Sequence, residues 1–221
     1  MAEARAVLFD LDGTFADTAP DLGRALNRLR VEQNLEPLPL AIMRAHASSG
    51  ARGLLKAGFD LTPESEGYDA LRDRFLDFYE QELCVETRLF DGVPELLVKI
   101  RARKLPWGIV TNKGKRFTEP LLRHLAVDNL AACVVSGDST PHIKPHPEPL
   151  LLAASLLKLP PADCIYIGDD LRDLQAARAA GMRFAAAGWG YLGAGEDPRT
   201  WDADAVISHP ADVLTLLSDT Q

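Results

Sequence analysis

Two carboxylates stand one residue apart where the first apolar run of the chain stops. Val7, Leu8 and Phe9 lead into Asp10, and Asp12 follows, in the stretch AVLFDLDGTFADTAPD. Like charges this close repel, and a desolvated carboxylate is costly unless something pairs with it. The pair therefore asks for a cation. Later segments end in polar residues of matching chemistry. LPWGIVTNKG ends in Thr111 and Asn112, PHIKPHPEP carries Lys144, and CIYIGDDLRD ends in Asp169 and Asp170, with Asp173 one turn further on.

That set suits one kind of chemistry. Clustered Asp10, Asp12 and Asp169 repel each other less around a hard dication, and Mg²⁺ favours a few carboxylates with water and phosphate oxygen. A lysine, a threonine hydroxyl and nearby backbone N–H groups suit a tetrahedral phosphate. With a phosphoryl group clamped, one carboxylate can attack it to form an aspartyl-phosphate. A second carboxylate two residues on can protonate the leaving oxygen and then activate water. Gly13 leaves room where backbone must approach closely.

The elements that must position these residues follow from pattern. Apolar runs at 5–10, 106–111, 132–136, 164–168, 183–187 and 204–207 read as strands buried on both faces. Helical patterns near 92–103, 114–125, 147–158 and 170–180 lie between them. This alternation predicts an α/β fold with a Rossmann-like parallel sheet flanked by helices. Ligands of such sheets bind beyond the carboxyl ends of the strands, where the acids, the hydroxyl and the lysine would converge. The rhythm breaks between 17 and 85, where no strand is evident. Leu22, Ala25, Leu26 and Leu29 recur at helical spacing, as do Leu71, Phe75, Phe78 and Tyr79. The stretch is too long for a simple crossover. It predicts an all-helical cap domain, 16–85, inserted after the first strand into a core made of 1–15 and 86–221.

Composition bounds the remainder. Of 221 residues, 47% are hydrophobic and 25% charged, as in ordinary globular proteins. The formal net charge of −8 argues against nucleic acid as a partner and against a polybasic membrane anchor. Cys84, Cys133 and Cys164 are widely spaced and odd in number, so disulfides are not expected and a cytoplasmic location fits. No secretory leader precedes the first strand and no apolar stretch is long enough to span a bilayer. The five histidines (46, 124, 142, 146 and 209) show no metal-binding spacing such as HExxH. Trp107 and Trp189 read as packing residues.

FDLDGT, VTN, KPHPEPL and GDDLRD resemble, in order, the four motifs of the haloacid dehalogenase (HAD) superfamily, and the likeness extends over essentially the whole chain. Within it, DTAPD, VTNK, KPHPEPLLLAA and IGDDLRDLQAARAAGM are similar to the phosphoglycolate phosphatase group. SSGARGLLKAGF and GWGYLGAGEDPRTWDADAVISHP resemble the N-acetylmuramic acid 6-phosphate phosphatases. The resemblance implies a Mg²⁺-dependent phosphatase acting on a small phosphorylated metabolite, as a monomer or homodimer. It implies Asp10 as nucleophile, Asp12 as acid/base, and Thr111, Asn112 and Lys144 on the phosphoryl group. Mg²⁺ would take Asp10, the backbone carbonyl of Asp12, and Asp169. Asp173 would support the metal from outside its direct ligands, although the residue type also suits the first turn of a helix. Arg52, in the cap, is either a surface charge or a reader of a substrate carboxylate. Phe15 stands where the family more usually has Leu, beside the join to the cap, which questions the pocket shape.

Two other functions use similar parts. A phosphomutase of the same fold would return the phosphoryl group to a second hydroxyl. A phosphoacceptor signalling domain also uses Asp, Thr, Lys and Mg²⁺, but places its acidic pair first and its phosphoacceptor on a later strand, and lacks a helical insertion. The order here, Asp-x-Asp, Thr, Lys, Asp, fits the hydrolase. No GxxxxGK[ST] occurs, which removes a P-loop NTPase.

Overall fold

The computed structural model describes residues 3–192 and 197–218. The chain enters through β1 (Ala6–Phe9) and a two-residue strand β2 (Ala16–Asp17), then runs through α1 (Ala19–Glu32), α2 (Leu40–Ala47), α3 (Gly50–Phe59) and α4 (Tyr68–Gln81). It returns through β3 (Arg88–Leu89). From there helix and strand alternate: α5 (Val93–Ala102), β4 (Trp107–Val110), α6 (Lys115–His124), β5 (Cys133–Val135), α7 (Glu148–Leu157), β6 (Cys164–Gly168), α8 (Leu171–Ala179) and β7 (Arg183–Ala187). After a 3₁₀ turn the last strand is β8 (Ala205–Ile207).

Six strands form one parallel sheet in the order β5-β4-β1-β6-β7-β8. The fold is thus the expected α/β sheet flanked by helices. Its strands are apolar throughout because both faces are covered. Successive residues alternate between two cores: Val7 and Phe9 pack on one side, Ala6 and Leu8 on the other. Ile165 and Ile167 alternate with Cys164 and Tyr166 in the same way. β1 lies between β4 and β6, where strand order reverses, and Phe9 is in register with both Ile109 and Ile167. The chain therefore leaves all three strands at one level, at the crevice where such sheets bind ligands.

The helices between β2 and β3 pack on one another, with the closest pairings α1 on α4, α2 on α3 and α1 on α2. The spacing in α1 buries Leu22, Ala25, Leu26 and Leu29, as its periodicity predicts. The antiparallel β2–β3 ribbon, with Ala16 opposite Leu89 and Asp17 opposite Arg88, was not legible in the sequence. Two residues are too few to show a period. Asp21, fully buried in the first turn of α1, reinforces the same place. Its carboxylate accepts hydrogen bonds from the backbone N–H groups of Val85, Glu86 and Thr87 and from the Thr87 hydroxyl, at 2.7–3.2 Å.

Phe15 does not line the cavity over the acidic cluster. It is fully buried, stacks on Trp107 with ring centroids 5.4 Å apart, and meets Phe9 at 5.7 Å. Trp107 is a packing residue of the core, as expected. Among the described residues no helix is long and apolar enough to cross a membrane, and all three cysteines are free.

Candidate active site

Asp10 follows β1 directly and is 6% exposed. Its Oδ1 lies 2.8 Å from Nζ of Lys144, which is itself 3% exposed. The same ammonium lies 2.7 Å from Asp173 and donates at 2.6 Å to the hydroxyl of Tyr166, which in turn donates to the Val110 carbonyl at 2.7 Å. The cation that the acidic pair demands is therefore Lys144, delivered by the loop between β5 and α7. Asn112 fixes that loop. Its side-chain amide donates to the Lys144 carbonyl and accepts from the Lys144 N–H, both at 2.9 Å. The Asn112 side chain is thus committed to holding Lys144 in place. Thr111 ends β4, is buried, and accepts at Oγ1 from the Lys113 N–H at 3.1 Å.

Asp12 has a different cation. Lys113 Nζ lies 3.1 Å from its carboxylate and 3.1 Å from the Tyr79 hydroxyl of α4. The Thr18 hydroxyl donates to the same Asp12 oxygen at 2.5 Å. Burial, helped by Asp12 and against the pull of Lys113, pushes the Tyr79 phenol up to about 12, so it stays neutral. Lys113 was quoted in the VTNK motif without a role. Its signal was only its spacing, two residues past a strand end.

Asp169 closes the far side. Fully buried at the end of β6, it accepts from the Thr14 hydroxyl (2.9 Å), the Ser48 hydroxyl (2.8 Å) and the Tyr191 N–H (3.0 Å). Backbone passes close on both sides of it. Gly13 sits at φ +89°, and a Cβ there would lie 2.4 Å from Asp169 Oδ2. A Cβ on Gly190 would lie 2.4 Å from Asp169 Cβ and 2.5 Å from the Gly13 carbonyl. Only glycine fits at both places. This explains the GWGY stretch, whose Trp189 indole donates to the Thr14 carbonyl at 2.9 Å. Residues 193–196 of the longer segment GWGYLGAGEDPRTWDADAVISHP lie outside the described residues.

Asp173 serves two purposes. It closes a capping box with Asp170 at the start of α8, and it pairs with Lys144. Asp170 faces Arg172, which holds it at 2.8 Å. Arg172 also donates to the Ser48 carbonyl (3.0 Å) and the Ser49 hydroxyl (3.2 Å), across from α8 to the turn between α2 and α3. Neither Arg172 nor Ser48 was singled out in the sequence, since each acquires its partner only through the fold.

The electrostatics are unbalanced. Carboxylate oxygens of Asp10, Asp169 and Asp173 lie within 4.8 Å of one another, all buried. Burial would depress Lys144, but Asp10 and Asp173 outweigh it and hold the ammonium above its ordinary value. Burial raises the Asp10 carboxyl well above the usual range, against the pull of Lys144 and with Asp173 and Asp169 adding to it. Burial, with Asp173 beside it, pushes Asp169 up to about 7 despite its three hydrogen-bond donors. Lys144 pairs with two of the three acids and Asp169 has no cation of its own among these contacts, so the cluster favours a further positive charge. An all-carboxylate, buried donor set of this size fits a hard dication.

A cavity of about 400 Å³ opens over these groups. Asp10, Asp12, Thr111 and Lys144 line it from the sheet, and Ser48 and Arg52 from the helices above. Arg52, near the start of α3, is exposed at this lining.

Residues 7–187 match the family model described as Haloacid dehalogenase-like hydrolase. The chain belongs to the haloacid dehalogenase-like hydrolase family. Among its relatives, an N-acetylmuramic acid 6-phosphate phosphatase of Pseudomonas putida is 41% identical over 213 residues, covering 96% of each chain. A phosphoglycolate phosphatase of Xanthomonas campestris pv. campestris is 41% identical over 206 residues, covering 93% of each. A crystal structure from Haemophilus somnus, described as a predicted phosphoglycolate phosphatase, superposes with a TM-score of 0.85 at 26% identity, over 97% of this chain and 98% of that one.

Proposed function

We propose that the protein is a Mg²⁺-dependent phosphatase of small phosphate monoesters, acting through an aspartyl-phosphate on Asp10. The observation that carries this reading is one cavity, of about 400 Å³, lined at once by Asp10, Asp12, Thr111 and Lys144. Names of relatives that together span nearly the whole chain, N-acetylmuramic acid 6-phosphate phosphatase and phosphoglycolate phosphatase, support the same class.

The steps follow from the groups present. Lys144 and the Thr111 hydroxyl hold the phosphoryl oxygens, and Asn112 keeps Lys144 in register. An Asp10 carboxylate oxygen attacks phosphorus while the bond to the ester oxygen breaks, and Asp12 gives that oxygen a proton. Asp12, now a carboxylate, takes a proton from water as the water oxygen attacks phosphorus. Inorganic phosphate leaves, and Asp10 is restored. Thr18 and Lys113 hold Asp12 in place through both steps. Asp10, the carbonyl of Asp12 and Asp169 would hold Mg²⁺, with Asp173 steadying the cluster beside them. The ion supplies positive charge against the phosphoryl oxygens and the acids.

Residues 16–85 are the cap in this reading, supported by α1–α4 packing on one another beyond the β2–β3 ribbon. Ser48 and Arg52 bring it to the cavity, and the substrates named for the relatives both carry a carboxylate that Arg52 can bind. Asp10→Asn tests the reading. The amide cannot form the aspartyl-phosphate, so release of inorganic phosphate from 2-phosphoglycolate and N-acetylmuramic acid 6-phosphate should vanish while the fold is kept. Activity within about tenfold of the wild type would remove Asp10 from its role. Product carrying a relocated phosphate, with no inorganic phosphate, would make the enzyme a mutase.

A further inference from the structure

We propose that His142, His146 and Glu148 form a surface site for a zinc-class divalent transition-metal ion, distinct in residues and in donor chemistry from the buried acidic cluster. The sequence reading found no metal spacing among the histidines. The fold nevertheless gathers these two with Glu148, one donor atom of each lying within 4.8 Å of the others.

The donor geometry is specific. Nδ1 of His142 lies 2.9 Å from Glu148 Oε2, and Nδ1 of His146 lies 3.9 Å from the same oxygen and accepts the Glu148 N–H in a long contact of 3.3 Å that an ion would replace. A tetrahedral ion with bonds of about 2.05 Å to nitrogen and oxygen needs donors about 3.3 Å apart, a value between the two observed distances. The two rings are stacked, centroids 4.3 Å apart and 27° between their planes, so both imidazoles stand on one side of the loop and a turn of the exposed rings about their side-chain bonds brings both nitrogens onto one ion. All three side chains reach solvent, which leaves a further ligand position to water.

The backbone beneath is stiff. Pro141, Pro145, Pro147 and Pro149 fix φ at four of the nine positions from 141 to 149. Midway between the histidines, the Lys144 backbone is pinned to Asn112 through both its N–H and its carbonyl. Lys144 points inward to Asp10 while the histidines two residues on either side point outward. The backbone is therefore set before an ion arrives, which leaves only the three side chains to be ordered and lowers the entropic cost of binding. Two imidazoles and one carboxylate suit zinc, cobalt or nickel. Mg²⁺, which prefers oxygen donors and keeps its waters, is a poor match.

The test titrates metal-free full-length protein with Zn²⁺ by calorimetry, in excess Mg²⁺ so that the acidic cluster is filled. A single Zn²⁺ per chain is expected to bind. His142→Ala and His146→Ala should each weaken it by at least roughly tenfold, since even contacts outside the ligand shell carry that much. Glu148→Gln should weaken it in the same direction. A second measurement needs no variant: Zn²⁺ should shift the ring ¹⁵N resonances of two histidines, assigned as 142 and 146, and leave the other three unmoved. Absence of saturable Zn²⁺ binding under Mg²⁺, unchanged affinity in the His142→Ala, His146→Ala double variant, or ring shifts at other histidines would overturn the proposal.

Discussion

Replacing Lys144 by methionine removes the ammonium paired with Asp10 and Asp173, at 2.8 and 2.7 Å, and keeps most of the apolar stem. Two buried carboxylates lose their partner, with Asp169 close by. Breaking a buried ion pair from one side costs about 3–5 kcal/mol, a large part of the roughly 5–15 kcal/mol that holds a domain folded. The sign with pH follows from the direction of the shifts. Burial already raises Asp10 even with Lys144 present. Without the ammonium, the folded-state value rises further above that of the unfolded chain. A carboxyl raised on folding contributes its stability at low pH and loses it as pH climbs through the folded value. The variant's deficit should therefore be greatest near pH ~8 and shrink towards pH ~5.5. Urea unfolding in the presence of chelator is the assay. With a slope of about 2–3 kcal/mol/M, the midpoint should fall by roughly 1–2 M at the alkaline end. Adding Asp173→Asn should return part of the loss by removing one unpaired charge. A midpoint within about 0.2 M of the wild type across this range, or a deficit that grows as pH falls, would refute the charge argument.

Chelation should abolish turnover and Mg²⁺ restore it, whereas Ca²⁺, with more ligands and looser geometry, should inhibit; full activity in excess chelator would exclude a metal-dependent step. Arg52→Ala should lower kcat/KM for carboxylate-bearing esters by roughly tenfold to a hundredfold and leave p-nitrophenyl phosphate nearly unchanged, and equal losses on both would make Arg52 structural. Arg172→Ala removes the donors that reach Ser48 and Ser49 while the Asp170 N-cap keeps its backbone partner. It should raise KM more than it lowers kcat, read from steady-state rates, and an unchanged KM would show that this contact does not shape the cavity.

Much of the core was legible because the sheet is covered on both sides. The strands β1, β4 and β6 are apolar runs, and each gives way at its carboxyl end to a polar residue that the site buries, so Asp10, Thr111 and Asp169 marked the sheet edge by themselves. Features carried by contact between distant segments were not legible. Asp21 looks like an acidic residue in a first turn, and its N–H partners lie more than sixty residues away. Tyr166 sits within an apolar strand, where its hydroxyl was the one polar signal, yet nothing local says that it meets Lys144. The place of the Phe15 ring was not legible either, because its neighbours in sequence lead to the helical insertion while the ring turns back into the core against Trp107.

The β2–β3 ribbon and Asp21 tie the outgoing and returning chains together at one point, within a few residues of Asp12. Neither passage can bend without the other, because the carboxylate spans both. If the four helices act as the proposed cap, their reorientation relative to the sheet would be a swing about this point, with the Ser48–Asp169 and Arg172–Ser48 contacts released. Asp12 and its partner Thr18 sit beside that hinge on either side of β2. Such a swing would change how the Thr18 hydroxyl meets Asp12, so the opening of the cavity and the alignment of that carboxyl would form one mechanical coordinate.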